Sequence, residues 1–224
     1  MLYIVSTPIG NLKDITLRAI EILKKVALIA AEDTRHTKIL LQHYNINTPL
    51  TSYFEHNEIK KADFLLKLLK EGKDIALVTD AGTPGISDPG YRMIQLAQQN
   101  NIPMTVVPGA TALIAALTLS GLPAHHFIFE GYLPVKQQAR RRKLEELKRE
   151  TRTVIFYESP HRLVKTLKDI EEVLGDPVVV VLRELTKKFE EMRKGNSSKL
   201  ILQFTKIKPK GEFVVLLHQD ERGS

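Results

Sequence analysis

Apolar residues recur along this chain in short blocks separated by amphipathic stretches, and the two kinds alternate almost without interruption. Leu2–Ser6 reads as a buried strand, and Thr16–Lys25 as a helix with Leu17, Ile20 and Leu23 on one side. Val26–Ala30 is apolar again, and Asn57–Glu71 predicts a helix with Phe64, Leu65, Leu68 and Leu69 on its buried stripe. Asp74–Thr79 predicts a strand, Tyr91–Asn100 a helix, Met104–Val107 a strand and Ala110–Leu119 a helix. This strand–helix–strand order predicts a parallel sheet with right-handed crossovers. The second half repeats the theme. Strands are expected at Phe127–Glu130, Thr153–Tyr157, Val178–Leu182, Leu200–Phe204 and Glu212–His218, with helices at Lys136–Arg149 and Arg162–Leu174. Gly175-Asp176-Pro177 marks a helix stop and a strand restart. The fold class expected is therefore α/β in two domains, 1–120 and 121–224, divided near Gly121-Leu122-Pro123.

Three loops follow predicted strands of the first half on special backbone. They are Ser6-Thr7-Pro8-Ile9-Gly10-Asn11, the long stretch from Thr79-Asp80 through Gly82-Thr83-Pro84-Gly85-Ile86-Ser87 to Gly90, and Val107-Pro108-Gly109-Ala110-Thr111. In a parallel sheet such loops lie beyond the carboxyl ends of the strands, where ligands bind. Glycine lets a ligand approach the backbone, while Asp80, Thr83 and Ser87 offer fixed polar groups. A ligand site built from all three is the expectation. Neither a G-x-x-x-x-G-K-[ST] nor a G-x-G-x-x-G pattern occurs, which argues against a P-loop and an ordinary dinucleotide loop.

Composition narrows the class. With 224 residues, 43% hydrophobic and 26% charged, the chain is expected to be a soluble globular protein. The absence of cysteine excludes disulfides, thiolate metal sites and a cysteine nucleophile. Met1–Val5 reads as a first strand and not as a leader, and Ala110–Leu119 is too short to span a bilayer, so a cytoplasmic protein without a membrane partner is expected. The seven histidines show no ligand spacing, and no metal is expected.

Charge adds a partner. Residues 113–224 hold 21 of the 33 basic side chains and 15 of the 26 acidic ones. A basic half points to a polyanion, because clustered cations release counterions from phosphates. Arg140-Arg141-Arg142-Lys143 is the densest block, and RNA backbone contact is the expectation for it. Glu32-Asp33-Thr34-Arg35 admits two readings, a helix N-cap or a substrate-positioning group, and both stay open.

These motifs carry a resemblance. Ser6–Leu12, Glu32–Arg35, Asp80–Gly90, Phe156-Tyr157-Glu158-Ser159-Pro160-His161-Arg162 and Arg183-Glu184-Leu185-Thr186-Lys187 together resemble a family of small-subunit ribosomal RNA methyltransferases. That family lies within the tetrapyrrole-methylase-like superfamily. The resemblance implies S-adenosylmethionine as donor and 2′-O-methylation of a cytidine in the decoding region of 16S ribosomal RNA. It also implies a homodimer, with 16S RNA or the small ribosomal subunit as partner and the donor held in the cleft between domains. Position by position it implies a donor site of Thr7, Pro8 and Ile9, then Asp80, Gly82, Thr83, Ile86 and Ser87. Pro108, Gly109, Ala110, Thr111 and Ala112 form its third wall, and Tyr157 flanks the adenine.

A ribose hydroxyl must be held in line and relieved of its proton. Asp33 or Glu158 is the expected acceptor, Asp33 preferred; Glu32, Glu184 and Lys187 are further candidates. Arg35 and Arg162 suit the flanking phosphates. The rival readings are a small-molecule methyltransferase acting on a tetrapyrrole and a non-enzymatic RNA-binding protein.

Overall fold

A computed structural model describes residues 1–54 and 56–219. The chain divides into two compact units, Met1–Thr111 and Ala112–Ser224. The first unit holds five strands, β1 (Leu2–Val5), β2 (Leu28–Ala31), β3 (Leu50–Ser52), β4 (Ile75–Val78) and β5 (Met104–Val107). They form one sheet in the order β3-β2-β4-β1-β5, and every pairing is parallel.

The connecting helices are α1 (Leu17–Lys25), α2 (Thr34–His43), α3 (Glu58–Lys70) and α4 (Tyr91–Gln99). Ala76 and Val78 pack with Leu23 of α1 and Leu40 of α2, while Ile75 and Leu77 pack with Leu65 of α3 and Met93 of α4. Helices on both faces bury both sides of the strands, which is why the strands read as unbroken apolar runs. Apolar periodicity missed two elements here, the three-residue edge strand β3 and α2, whose start was implied only by the cap reading of Glu32–Arg35.

The second unit begins with α5 (Ala112–Ser120). This helix contacts strands of the second sheet, so the division falls before it, at Thr111, and not near Gly121 as sequence suggested. Then follow β6 (Phe127–Tyr132), α6 (Gln137–Glu146), β7 (Thr153–Glu158), α7 (Leu163–Leu174), β8 (Val178–Arg183), β9 (Glu191–Asn196), α8 (Ser197–Lys206) and β10 (Phe213–Leu217). The sheet order is β6-β7-β10-β8-β9. Only β6 and β7 are parallel; β10 runs antiparallel to both β7 and β8, and β9 antiparallel to β8. The expected repetition of a parallel sheet therefore fails in this half. The loop from β8 to β9 is too short for a crossover and permits only an antiparallel return.

The expected strand at Leu200–Phe204 is part of α8. Leu200 and Phe204, one helical turn apart, point into the core with Phe213 and Val215. The helix is capped from far upstream. Asp176 Oδ1 accepts from Ser198 N–H and Ser197 Oγ–H, both at 2.8 Å, and its Oδ2 accepts from Ser198 Oγ–H at 2.8 Å. These donors, the Ser198 backbone first, hold the Asp176 carboxyl below the ordinary aspartate range.

Removing this cap should cost about 1–2 kcal/mol. A lowered carboxyl pKa contributes stability above the unfolded value, and that contribution drains as pH falls below about 4. Asp176→Asn, which tolerates the left-handed backbone at φ 62°, should lower the urea midpoint at pH 7 and approach wild type at pH 3. A constant difference across that range would refute the cap's charge.

Candidate functional site

Strands β4, β1 and β5 lie side by side and point the same way, so the loops that leave them emerge at one edge of the first sheet. The first two loops are bonded together. Thr7 N–H donates to Gly82 O at 2.8 Å and Gly82 N–H to Thr7 O at 3.1 Å, while Thr7 Oγ donates to Thr79 O at 3.0 Å. The Ser6 and Thr83 hydroxyls meet at 2.8 Å. Gly82 adopts φ +91°, a conformation L side chains rarely take, and faces Ile9 and the Ala110 carbonyl. The third loop closes as tightly. A Cβ on Gly109 would sit 2.9 Å from Ser6 Cβ.

The structure thus gathers most of the expected donor residues. Thr7, Pro8, Ile9 and Gly82 are buried at the roots of the loops, Thr83, Ala110 and Thr111 are half-buried, and Ile86, Ser87, Pro108 and Gly109 are exposed. Ala112 opens α5 and belongs to the second unit.

Beside these loops stands a carboxylate cluster. Glu32 Oε2 accepts from Thr79 Oγ–H at 2.5 Å and from Asp80 N–H at 3.3 Å, and Asp80 Oδ1 accepts from Asp33 N–H at 3.1 Å. Burial pushes the Asp80 carboxyl up, and the neighbouring Glu32 charge adds to this against the Asp33 N–H, which pulls it down. Asp33 is the opposite case. It caps α2 through Arg35 N–H at 2.8 Å and takes the Arg35 guanidinium at 3.1, 3.2 and 2.6 Å. That guanidinium holds its carboxyl far below the usual range. Of the two readings of Glu32–Arg35 the cap is met, since Asp33 caps α2, while Glu32 braces the ends of β2 and β4. Sequence reasoning missed the Glu32–Asp80 link, whose signal was one acid following each of two neighbouring strands. Among the described residues, no group of three or more His, Asp or Glu side chains is arranged to hold a metal ion.

The second unit corrects several expectations. Glu158 is buried, accepts from Ser159 N–H at 2.8 Å and Thr166 Oγ–H at 2.6 Å, and faces Arg162 at 3.3 Å. Its oxygens are occupied, so it is a positioning group of α7 and not an available base. Arg162 donates to Leu133 O at 2.6 Å, which ties it to the chain instead of leaving it for phosphates. Arg140 is also removed from solvent: with 4% of its side chain exposed, it pairs with Asp169 at 2.5 Å and donates to Val135 O at 3.0 Å. Arg141 binds the same aspartate at 2.7 Å and also Glu172, and Lys143 pairs with Glu130 at 2.8 Å. Only Arg142 of this block is exposed and without an ionic partner among the described residues. Glu184 and Lys187 pair with one another at 3.0 Å. Tyr157 is half-buried against Phe129 and Tyr132, with ring centres 5.0 and 5.7 Å away.

Residues 1–201 match the family described as Tetrapyrrole (Corrin/Porphyrin) Methylases, and the chain belongs to that family. Within it, the chain is 50% identical over 220 residues to the Ribosomal RNA small subunit methyltransferase I of Thermotoga maritima, covering 98% of this chain and 99% of that one. It is 51% identical over 218 residues to the protein of the same name from Synechocystis sp., covering 97% and 78%. Among solved structures it shares its fold with a uroporphyrin-III C-methyl transferase from Thermus thermophilus complexed with S-adenyl homocysteine. The TM-score is 0.67 at 19% identity, over 97% of each chain. A diphthine synthase gives a TM-score of 0.75 at 14% identity, covering 97% and 89%.

The buried Arg140–Asp169 pair generates a test. Arg140→Ala removes the buried partner of Asp169 and leaves it Arg141 and Gln137, which should cost about 2–3 kcal/mol, short of the ~3–5 kcal/mol of a wholly unpaired buried charge. Burial alone would raise the Asp169 carboxyl, but hydrogen bonds from Arg141, Gln137 and Arg140 outweigh it and hold it low. The pair's contribution is accordingly present at neutral pH and lost as pH falls through the lowered value. Chemical denaturation should show a loss above 2 kcal/mol at pH 7; a loss near zero would return Arg140 to the role of a surface cation.

Proposed function

We propose that this methylase transfers a methyl group from S-adenosylmethionine to the ribose 2′-hydroxyl of a cytidine in the decoding region of 16S ribosomal RNA, acting in the cytoplasm as a homodimer. The observation that carries the substrate is identity of about half, over nearly the whole chain, to relatives named Ribosomal RNA small subunit methyltransferase I. The loops support the donor. Their roots are closed by backbone bonds, their tips are neutral and uncovered at Ile86, Ser87, Pro108 and Gly109, and glycine permits the close packing between them, through the left-handed backbone at Gly82 and the approach of Gly109 to Ser6. A fold neighbour described as complexed with S-adenyl homocysteine agrees with this. Bound there, the donor supplies an electrophilic methyl on a sulfonium. Tyr157 against the adenine stays part of the proposal on the resemblance of the Phe156–Arg162 segment.

The chain's own task is to orient the hydroxyl and accept its proton. Asp80 suits this better than Asp33. A base works best when its pKa lies near the working pH, and burial raises Asp80 while Arg35 depresses Asp33. Incubation of the protein with labelled S-adenosylmethionine and 16S RNA, followed by mass mapping, should place the label on a cytidine ribose. Label on a base, or only on an added tetrapyrrole, would overturn the reading.

Asp80→Asn should slow single-turnover methylation, measured with donor and RNA saturating, by ~10²–10⁴-fold. Asp33→Asn should stay within about tenfold. Because a raised carboxyl is costly when ionised, Asp80→Asn should also raise the melting temperature at pH 7. A loss below tenfold for Asp80→Asn would leave in-line positioning as the mechanism.

A further inference from the structure

A groove of about 820 Å³ runs between α2 and the edge strand β3 in the first unit, lined by no residue of the three glycine-proline loops. Its lining is polar and cationic. Arg35, Lys38 and Gln42 follow one another at spacings of three and four along α2, which puts them on one face of the helix. Asn47, Thr51 and Ser52 stand on the opposite wall, and Lys61 reaches Thr51 Oγ with its ammonium at 2.9 Å. None of the eleven lining residues is acidic, and none is aromatic.

The position matters as much as the lining. The groove starts at Thr34 and Arg35, directly after Asp33, whose N–H is bonded to Asp80 at the end of β4. It therefore opens from the sheet edge that carries the carboxylate cluster. Its volume falls in the range of a single small-ligand pocket, which is room for a few nucleotides of one strand. Arg35 is already paired with Asp33, so Lys38, exposed and with no ion pair among the described residues, is the cation that can bind phosphate, while exposed amides such as Gln42 and Asn47 can meet base edges.

The geometry points to this groove as the seat of the single-stranded RNA flanking the methylated ribose. This assignment rests on the RNA reading above and extends it to residues outside the donor site. Without an aromatic platform the groove reads its strand by hydrogen bonding and charge, not by stacking. Beyond Asp33, which Arg35 matches, the lining brings no acid against Lys38, and this favours RNA over a peptide added to the β3 edge.

The test uses the full chain carrying Lys38→Glu with Gln42→Ala, both exposed positions. RNA affinity should fall at least tenfold, and the salt dependence should flatten by about 0.7 per lost phosphate contact. Donor affinity by calorimetry should remain that of wild type. Thiouridine-bearing RNA should crosslink into residues 34–52. Wild-type RNA affinity and salt slope in the variant, with wild type active on RNA, would overturn the groove alone. If wild type neither binds nor methylates ribosomal RNA, the functional reading itself falls. If the variant keeps its affinity for naked RNA but fails on assembled small subunits, the groove takes a ribosomal protein, and the RNA assignment is refuted.

Discussion

Two backbone hydrogen bonds between Thr7 and Gly82 set the geometry on which the three loops at the edge of the first sheet depend. Parallel neighbours such as β1 and β4 release their following loops in the same direction, with nothing in the ladder to keep those loops together. The antiparallel bridge folds one loop against the other just beyond the sheet. It requires the left-handed backbone that Gly82 adopts, and it brings the Ser6 and Thr83 hydroxyls into contact. Ser6 in turn underlies Gly109, so the third loop inherits its place from the first. With the root backbone groups satisfied by each other, the exposed tips are left to meet a ligand.

How much of this could be read from sequence depended on where each partner lay. β4 is buried on both faces, and its apolar run gives it away. β9, Glu191–Asn196, holds three charged residues, a glycine and an asparagine around the single apolar Met192, so it has no apolar stripe and cannot be seen by pattern. The Leu200–Leu202 run imitates a strand, and the group that makes it a helix is Asp176, about twenty residues upstream. α2 was hidden for a related reason. Its cap, Asp33, stands in a motif whose acids invite a catalytic reading. The loops themselves were legible because glycine and proline at strand ends have few other uses.

Charge was the least transparent property. Arg140, Arg141 and Lys143 look like a phosphate patch when counted along the chain, yet each faces a carboxylate contributed by another element. Arg140 joins α6 to Asp169 of α7 and, with Arg162, binds carbonyls of the Leu133–Val135 turn. Such a network fixes how two helices and a loop meet, and breaking it costs more than its net worth when intact. A run of cations therefore says little about a polyanion until the acids of the neighbouring helices are placed.

The same lesson applies at the sheet edge, where two aspartates of one sequence class acquire opposite acidities. Asp33 turns its side chain outward to a guanidinium that is 90% exposed, and its charge is matched. Its backbone N–H turns inward, to Asp80. Asp80 sits where β2 and β4 end, next to Glu32 and partly withdrawn from water, so its negative charge is the less comfortable of the two. One residue thus does two jobs: its side chain starts α2 and orients Arg35 at the mouth of the groove, and its amide holds the neighbouring carboxylate in place. Moving either strand end would disturb both. Asp80 and the polar groove are coupled through Asp33 because β2 and β4 are adjacent in the sheet, a proximity that a separation of 47 positions in sequence conceals.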